Sequence, residues 1–343
     1  MTDLPAPKHA PQPLLPRQCA GAVAQAADRA AARSRFNDYR ARRAAHTLRR
    51  QEADLSLFAG FLQDLGVPAD DLARRPDGWR LVTWGLVEAF IKWQLKEGYA
   101  VRSVNVRLST IKSYARLALQ SGALTAQDYA LIRAIQGYSL REQNRVDARR
   151  ARTRRGSKKM APVRITPEQA AALKVQPPTP QGRRDALLMC LLLDHGLRVG
   201  ETAGLLVENI HMDEEVMRFH RPKVNKVQTH RLSPDTLAAL RGCAAFNELP
   251  AEGPLLRRSR KGGELAEAGM GERALTARVR ALGKAVGLAG LSAHDCRHYW
   301  ATNAARRGTD PFDLQQAGGW SSLAMPRRYI EDNAIANEGV ELE

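Results

Sequence analysis

The sequence predicts a mainly α-helical protein with one small antiparallel β-sheet in its second half. Three observations carry that prediction. Apolar residues recur at i, i+3 and i+4 through most of residues 34–140 and again after about residue 233. Residues 207–232 alone change to short strand-like runs parted by turn residues. Between the helical regions stands RVDARRARTRRGSKK, residues 145–159, with eight basic residues and one acid. Like charges that dense do not pack into a core, so the segment separates two domains.

Residues 1–33, rich in Ala, Pro and Gln, are expected to be a disordered tail. Residues 34–144 are expected to form a compact bundle of four or five helices. Two of them, FAGFLQDLG and WRLVTWGLVEAFIKWQLKEG, end on glycine stops. In VRSVNVRLSTIKSYARLALQSG, residues 101–122, one face carries Val104, Leu108, Ile111 and Ala115, and another carries Arg102, Arg107, Lys112 and Arg116. Residues 145–164 read as a basic linker, with Arg149, Arg150, Arg152, Arg154, Arg155, Lys158 and Lys159 placed to track a phosphate backbone.

The second domain, residues 165–343, opens at Thr166 as N-cap and Pro167 as first helical residue. RRDALLMCLLLDHGLR, residues 183–198, is apolar on most sides and so is expected to be a central helix. VENIHM, VMRFHR and VQTHRL read as strands joined by DEE and PKVNK turns. Helices then resume at about 233–246, 271–286, 294–307, 310–317 and 322–330.

The chain is 343 residues long with a formal net charge of +17. Residues 1–160 hold 29 Lys+Arg against 14 Asp+Glu, whereas the remainder holds 24 against 22. Such asymmetry points to a polyanionic partner met chiefly by the first half. No apolar run approaches a membrane span, and the N-terminus has no signal-peptide h-region. The four cysteines, Cys19, Cys190, Cys243 and Cys296, form no CxxC pair, which argues for a reducing cytoplasm and against a zinc ribbon.

Three motifs place polar residues on otherwise apolar or turn-rich ground. HGLRVGETAGL puts Arg198 at the end of the central helix, with Glu201 one turn on and spaced for a bidentate pair. AHDCRHYWAT puts His294 and Arg297 on one helical face. AGGWSSLAMPRRYI puts Trp320 after two glycines and Tyr329 beside Arg327 and Arg328. Each motif alone is ordinary: a structural ion pair, a chance HxxR, an aromatic residue in a core. The spacing makes the set specific. Lys223 follows Arg198 by 25 residues, Trp320 follows Arg297 by 23, and Tyr329 follows Trp320 by 9.

The set resembles the tyrosine recombinase (phage-integrase-type) family, in its simple two-domain, Cre/Xer-like form, over residues of about 35–335. The resemblance implies a helical DNA-binding domain and a tyrosine-recombinase catalytic domain that close on DNA as a C-shaped clamp. Arg198 and Arg297 are then the phosphate clamp, Tyr329 the nucleophile and Lys223 the general acid for the leaving 5′-oxygen. His294 orients the phosphate and helps deprotonate the tyrosine. Trp320 fills a sixth position where many relatives carry His, Glu201 supports the arginines, and Arg327 and Arg328 hold backbone phosphate near Tyr329. The PKVNK turn departs from the Gly-rich turn of many members, so Lys226 competes with Lys223. Cys296, where a larger apolar residue is usual, reads as a small packing residue.

The chemistry suits these types. Two arginines stabilise charge added to a phosphodiester, and no Asp/Glu cluster fit for Mg²⁺ stands beside the motifs. A phosphotyrosyl ester conserves the energy of the broken bond, so exchange needs neither metal nor ATP. The implied partners are double-stranded DNA with an inverted-repeat site and further copies of the chain, a dimer on the site and a tetramer in the synapse. The implied location is the cytoplasm, on the nucleoid. Two other classes share parts of the pattern: a type IB topoisomerase-like enzyme and a catalytically idle DNA-binding accessory protein.

Overall fold

The computed structural model describes residues 17–153, 155 and 162–331, with side chains from residue 21 onward. Arg154, Lys158, Lys159 and the terminal segments 1–16 and 332–343 lie outside the described residues. The chain divides into two units, Met1–Lys158 and Lys159–Glu343.

The first unit is helical throughout: α1 (Arg17–Ala41), α2 (Ala45–Asp64), α3 (Trp84–Lys96), α4 (Val101–Gln120), α5 (Ala126–Ala134) and α6 (Leu140–Ala148), with a 3₁₀ turn at Pro76–Trp79. Its core is aromatic, with Phe58, Trp79, Phe90 and Tyr114 all fully buried. The expected apolar face of α4 points into it, since Val104, Leu108, Ile111 and Ala115 are buried. Gly66, Gly98 and Gly122 supply the positive φ that ends α2, α3 and α4.

Two boundaries differ from expectation. Helix α1 begins at Arg17, so residues 17–33 are helical rather than a disordered tail. The stretch is rich in alanine, the strongest helix former, and composition alone misreads it. Helix α6 carries the chain to Ala148, four residues into the expected linker, because Ser139 and Glu142 form a reciprocal capping box at its start.

The second unit holds α7 (Pro167–Lys174), α8 (Pro180–Asp194), α9 (Val199–Ala203), a 3₁₀ turn at Val207–Asn209, β1 (Ile210–His211), β2 (Val216–Arg221) and β3 (Lys226–Arg231). There follow α10 (Pro234–Ala245), β4 (Arg257–Ser259), β5 (Leu265–Gly269), α11 (Glu272–Ala285), α12 (Ala293–Arg306), α13 (Pro311–Gly318) and α14 (Ala324–Glu331). Helix α7 starts as expected, with Thr166 as N-cap in a capping box with Gln169. Helix α8 is central: Leu187, Leu188, Leu191 and Leu192 are buried.

Strands β1, β2 and β3 form one antiparallel sheet, with Phe219 opposite Gln228 and Arg221 opposite Lys226. The PKVN turn between them closes on Asn225 at φ 46°, a conformation asparagine tolerates. VEN is a 3₁₀ turn, so the sheet starts at Ile210. The β4–β5 hairpin was not expected. RRSRKGGEL carries no apolar alternation, and buried Arg184 on α8 holds the hairpin instead, donating to the Arg257 carbonyl at 3.0 Å and to Ser259 at 2.7 Å.

Candidate active site

The site is built at the turn between α8 and α9. Helix α8 stops at Asp194, Gly196 turns the chain at φ 59°, and Arg198 becomes the N-cap of α9 rather than the last residue of α8. Glu201, one turn on, points back. One of its oxygens accepts from Arg198 Nη1 at 2.7 Å and the other from the Arg198 backbone N–H at 2.8 Å. The expected bidentate pair is therefore divided between side chain and backbone. A second guanidinium takes up the remaining capacity: Arg221 Nη1 lies 3.2 Å from both Glu201 oxygens.

Helix α12 brings Arg297. The helix is capped by Ser292, whose backbone N–H and hydroxyl both donate to Asp295, and Asp295 also accepts from the Val163 backbone. Arg297, only 4% exposed, donates to the carbonyls of Gly196 and Gly318. Its guanidinium lies 4.6 Å from the centre of the Trp320 ring. Burial first, then the charges of Arg198 and Arg221, push it down to about 9.

The two glycines before Trp320 have separate causes. A Cβ on Gly318 would fall 2.1 Å from the Trp320 ring. Gly319 ends α13 in the left-handed region at φ 58°, and a Cβ there would meet the Arg221 side chain at 2.7 Å. The end of α13 thereby presents successive carbonyls to the arginines: Ala317 and Gly318 to Arg221, Gly318 to Arg297, and Gly319 to Arg198 at 3.0 Å. Carbonyls at a helix C-terminus carry partial negative charge, so the three cations are suited to sit there.

Tyr329 lies on α14, 2% exposed. Its ring is 5.8 Å from that of Trp320 and meets His298 edge-on at 5.0 Å. The structure thus brings Arg198, Glu201, Arg297, Trp320 and Tyr329 into one cluster and adds Arg221, His298 and Trp300, the last stacked on Trp320 at 6.1 Å. His298 stands inside the HDCRH motif, directly after Arg297 and four residues after His294, a spacing that puts both imidazoles on one side of α12. Arg221 had no comparable signal.

His294 is exposed on the first turn of α12, and Lys223 and Lys226 are exposed on the β2–β3 hairpin. Among the described residues no side-chain hydrogen bond or ion pair engages any of the three. Arg327 and Arg328 are exposed on α14. Cys296 is buried in the core, as a packing residue would be.

The basic residues of the first unit divide into two groups. Arg102, Arg116 and Arg149 are exposed. Arg107 donates to Gln94 at 2.9 Å and lies 4.4 Å over the Tyr99 ring. Lys112 donates to the carbonyls of Arg133 and Ile135, and Arg150 to those of Leu95 and Tyr99. Arg152 packs on Gly98, and Arg155 pairs with Glu97 at 3.2 Å. Arg107, Lys112 and Arg150 brace the helical unit, whereas Arg152 and Arg155 are exposed and lie beside the end of α3.

Among the described residues no helix is long and apolar enough to cross a membrane. A mainly helical unit thus gathers arginines, an indole and a tyrosine around one helix terminus. Residues 163–335 match the Phage integrase family, and the chain belongs to that family of tyrosine recombinases. It is similar to tyrosine recombinase XerC of Chlamydia muridarum (strain MoPn / Nigg), 25% identical over 298 residues that cover 83% of this chain and 87% of that protein. Tyrosine recombinase XerD of Bifidobacterium longum (strain NCC 2705) is 26% identical, covering 82% and 85%. In fold the chain is similar to a lambda integrase dimer bound to a COC′ core site, with TM-score 0.57, 17% identity and 90% and 80% of the two chains covered. It is also similar to the Tn1549 transposon integrase in complex with a circular intermediate DNA, with TM-score 0.54, 16% identity and 80% and 94% covered.

Proposed function

We propose that the protein is a site-specific DNA recombinase that cuts and rejoins strands through a 3′-phosphotyrosyl bond at Tyr329. The observation that carries this is the convergence of Arg198, Arg297 and Tyr329 on the 317–320 loop. Arg198 and Arg297 hold the non-bridging oxygens and stabilise the charge added as the phosphorus becomes five-coordinate. The Tyr329 hydroxyl gives up its proton with the help of His294, and its oxygen forms a bond to phosphorus while the bond to the 5′-oxygen breaks. Lys223, on the exposed turn, gives that oxygen its proton. His294 faces the phosphate, and His298 is the imidazole next to the nucleophile. The ester keeps the energy of the broken bond, so a free 5′-hydroxyl reverses the step without metal or ATP.

The substrate is double-stranded DNA with inverted repeats, bound by a dimer that pairs into a tetramer for integration, excision or resolution of DNA elements in the cytoplasm. Arg102, Arg116 and Arg149 on the first unit, and Arg327 and Arg328 on the second, supply backbone contacts. Exposure of all five supports that assignment. The test is Tyr329→Phe, which removes only the nucleophilic oxygen. DNA binding persists and covalent adducts vanish. Adducts that survive and map elsewhere contradict the assignment.

A further inference from the structure

Three arginines gather at the end of α13, and two of them, Arg198 and Arg221, are bonded to Glu201. The third, Arg221, ends β2, and its side chain is fully buried. Taking a guanidinium out of water costs several kcal/mol unless acceptors surround it. Here they do. Nη1 donates to both Glu201 oxygens and to the Gly318 carbonyl at 3.0 Å, while Nη2 donates to the Ala317 carbonyl at 2.7 Å. Nη2 also lies 3.3 Å from His230 Nε2. A guanidinium only donates, so that nitrogen is the acceptor and the His230 proton sits on Nδ1. Burial, then the charge of Arg221, push His230 down to about 3, which keeps it neutral. The Arg221 Nε alone lacks a partner.

These bonds join three pieces of chain remote in sequence. One is the β2–β3 hairpin. Another is α9, through Glu201, which in turn holds Arg198. The last is the end of α13, whose Gly318 carbonyl also receives Arg297. Arg221 thus grips the groups that aim both members of the phosphate clamp, and among the described contacts it has none with the nucleophile. Stability alone does not require an arginine here, because an apolar side chain of similar volume is often neutral or stabilising at a buried ionic site.

We propose that Arg221 is a positioning residue for strand cleavage, setting Arg198 through Glu201 and Arg297 through the Gly318 carbonyl. The inference rests on the recombinase chemistry proposed above. It separates the role of Arg221 from that of Lys223, which lies two residues further on the same hairpin.

The test is single-turnover cleavage of a suicide duplex carrying the site that the wild-type protein cleaves, with oxygen or sulfur as the leaving atom. Arg221→Lys keeps the charge without the fork, and Arg221→Met keeps the volume without the charge. Both should cleave about 100-fold more slowly, the scale of a small misplacement of reacting groups. DNA affinity and the fraction of protein that reacts should be unchanged. Sulfur should not restore the rate, because the clamp serves both substrates, whereas Lys223→Ala should recover. Wild-type rates in both variants overturn the inference. So does a loss confined to the reacting fraction, which marks destabilisation only, or recovery with sulfur, which places the effect on Lys223. If neither variant folds, His230→Leu removes one Arg221 acceptor and His230→Gln replaces it. Slower cleavage in the first and restored cleavage in the second support the proposal, and equal rates overturn it. If the wild-type protein forms no adduct, or adducts survive Tyr329→Phe, the recombinase reading itself fails and this inference falls with it.

Discussion

Glu201→Gln is the sharpest perturbation of the arginine cluster. The side chain of Glu201 is 3% exposed and faces Arg198, itself 24% exposed, and Arg221, which is fully buried. Among the described contacts it is the one carboxylate bonded to these arginines, and its charge also favours the charged form of Arg297. Glutamine keeps the shape and removes the charge. Its NH₂ group also faces a donor, whether it meets Arg198 Nη1 or the Arg198 backbone N–H. Breaking a buried pair in this way costs about 3–5 kcal/mol. Partial exposure lets Arg198 turn to water, so about 3 kcal/mol is expected. In a unit of this size that lowers Tm by about 6–12 °C. Calorimetry on the full-length protein measures it directly. Added site DNA should narrow the gap between variant and wild type, because a phosphate supplies the missing negative charge. A Tm within about 2 °C of wild type, a change of under about 1 kcal/mol, would refute the claim that one carboxylate balances these cations.

Gly318→Ala places a methyl group 2.1 Å from the Trp320 ring. It should cost about 1–3 kcal/mol and slow cleavage more than it weakens DNA binding, checked by calorimetry and by adduct formation. Lys223→Ala should cleave ordinary DNA very slowly and recover when sulfur replaces the leaving oxygen, because a thiolate leaves without a proton. Lys226→Ala should show a smaller defect that sulfur leaves unchanged, and the reverse result exchanges the two roles. Burial holds His195 at about 4 and His230 at about 3 in the fold. The unfolded chain takes up their protons near pH 6.5, so stability is complete above that pH. It falls by about 1.4 kcal/mol per pH unit per histidine as pH drops toward the folded values. A His195→Gln variant should show the shallower slope between pH 6.5 and 5, and an unchanged slope would contradict the linkage.

Much of this architecture was legible because local chemistry and tertiary position agree. TPEQ begins a helix wherever it is placed, and α7 starts there. The switch of period at residues 207–232 reads as short strands with turns, and Lys223 lies on the exposed turn between β2 and β3. Arg297 and Tyr329 stood out in the sequence only through the spacing of the set, and the fold brings both to the Trp320 ring. Arg221 did not stand out, because in RFHRPKVNK it reads as one more cation on a basic hairpin. Only the approach of α13 makes it a buried hub. Arg107, Lys112 and Arg150 show a second thing that spacing leaves out. A basic face suggests nucleic acid, and here Lys112 and Arg150 also donate to carbonyls at the ends of α5 and α3, and Arg107 to the Gln94 side chain. Sequence spacing cannot reveal an acceptor supplied by another helix.

The central claim is covalent chemistry at Tyr329. The most direct measurement digests the protein–DNA adduct and locates the nucleotide by mass spectrometry. The account predicts a peptide joined through the Tyr329 oxygen to a 3′-phosphate, with a free 5′-hydroxyl on the released strand. Attachment to any other residue, or a 5′-phosphate on the protein, would contradict it.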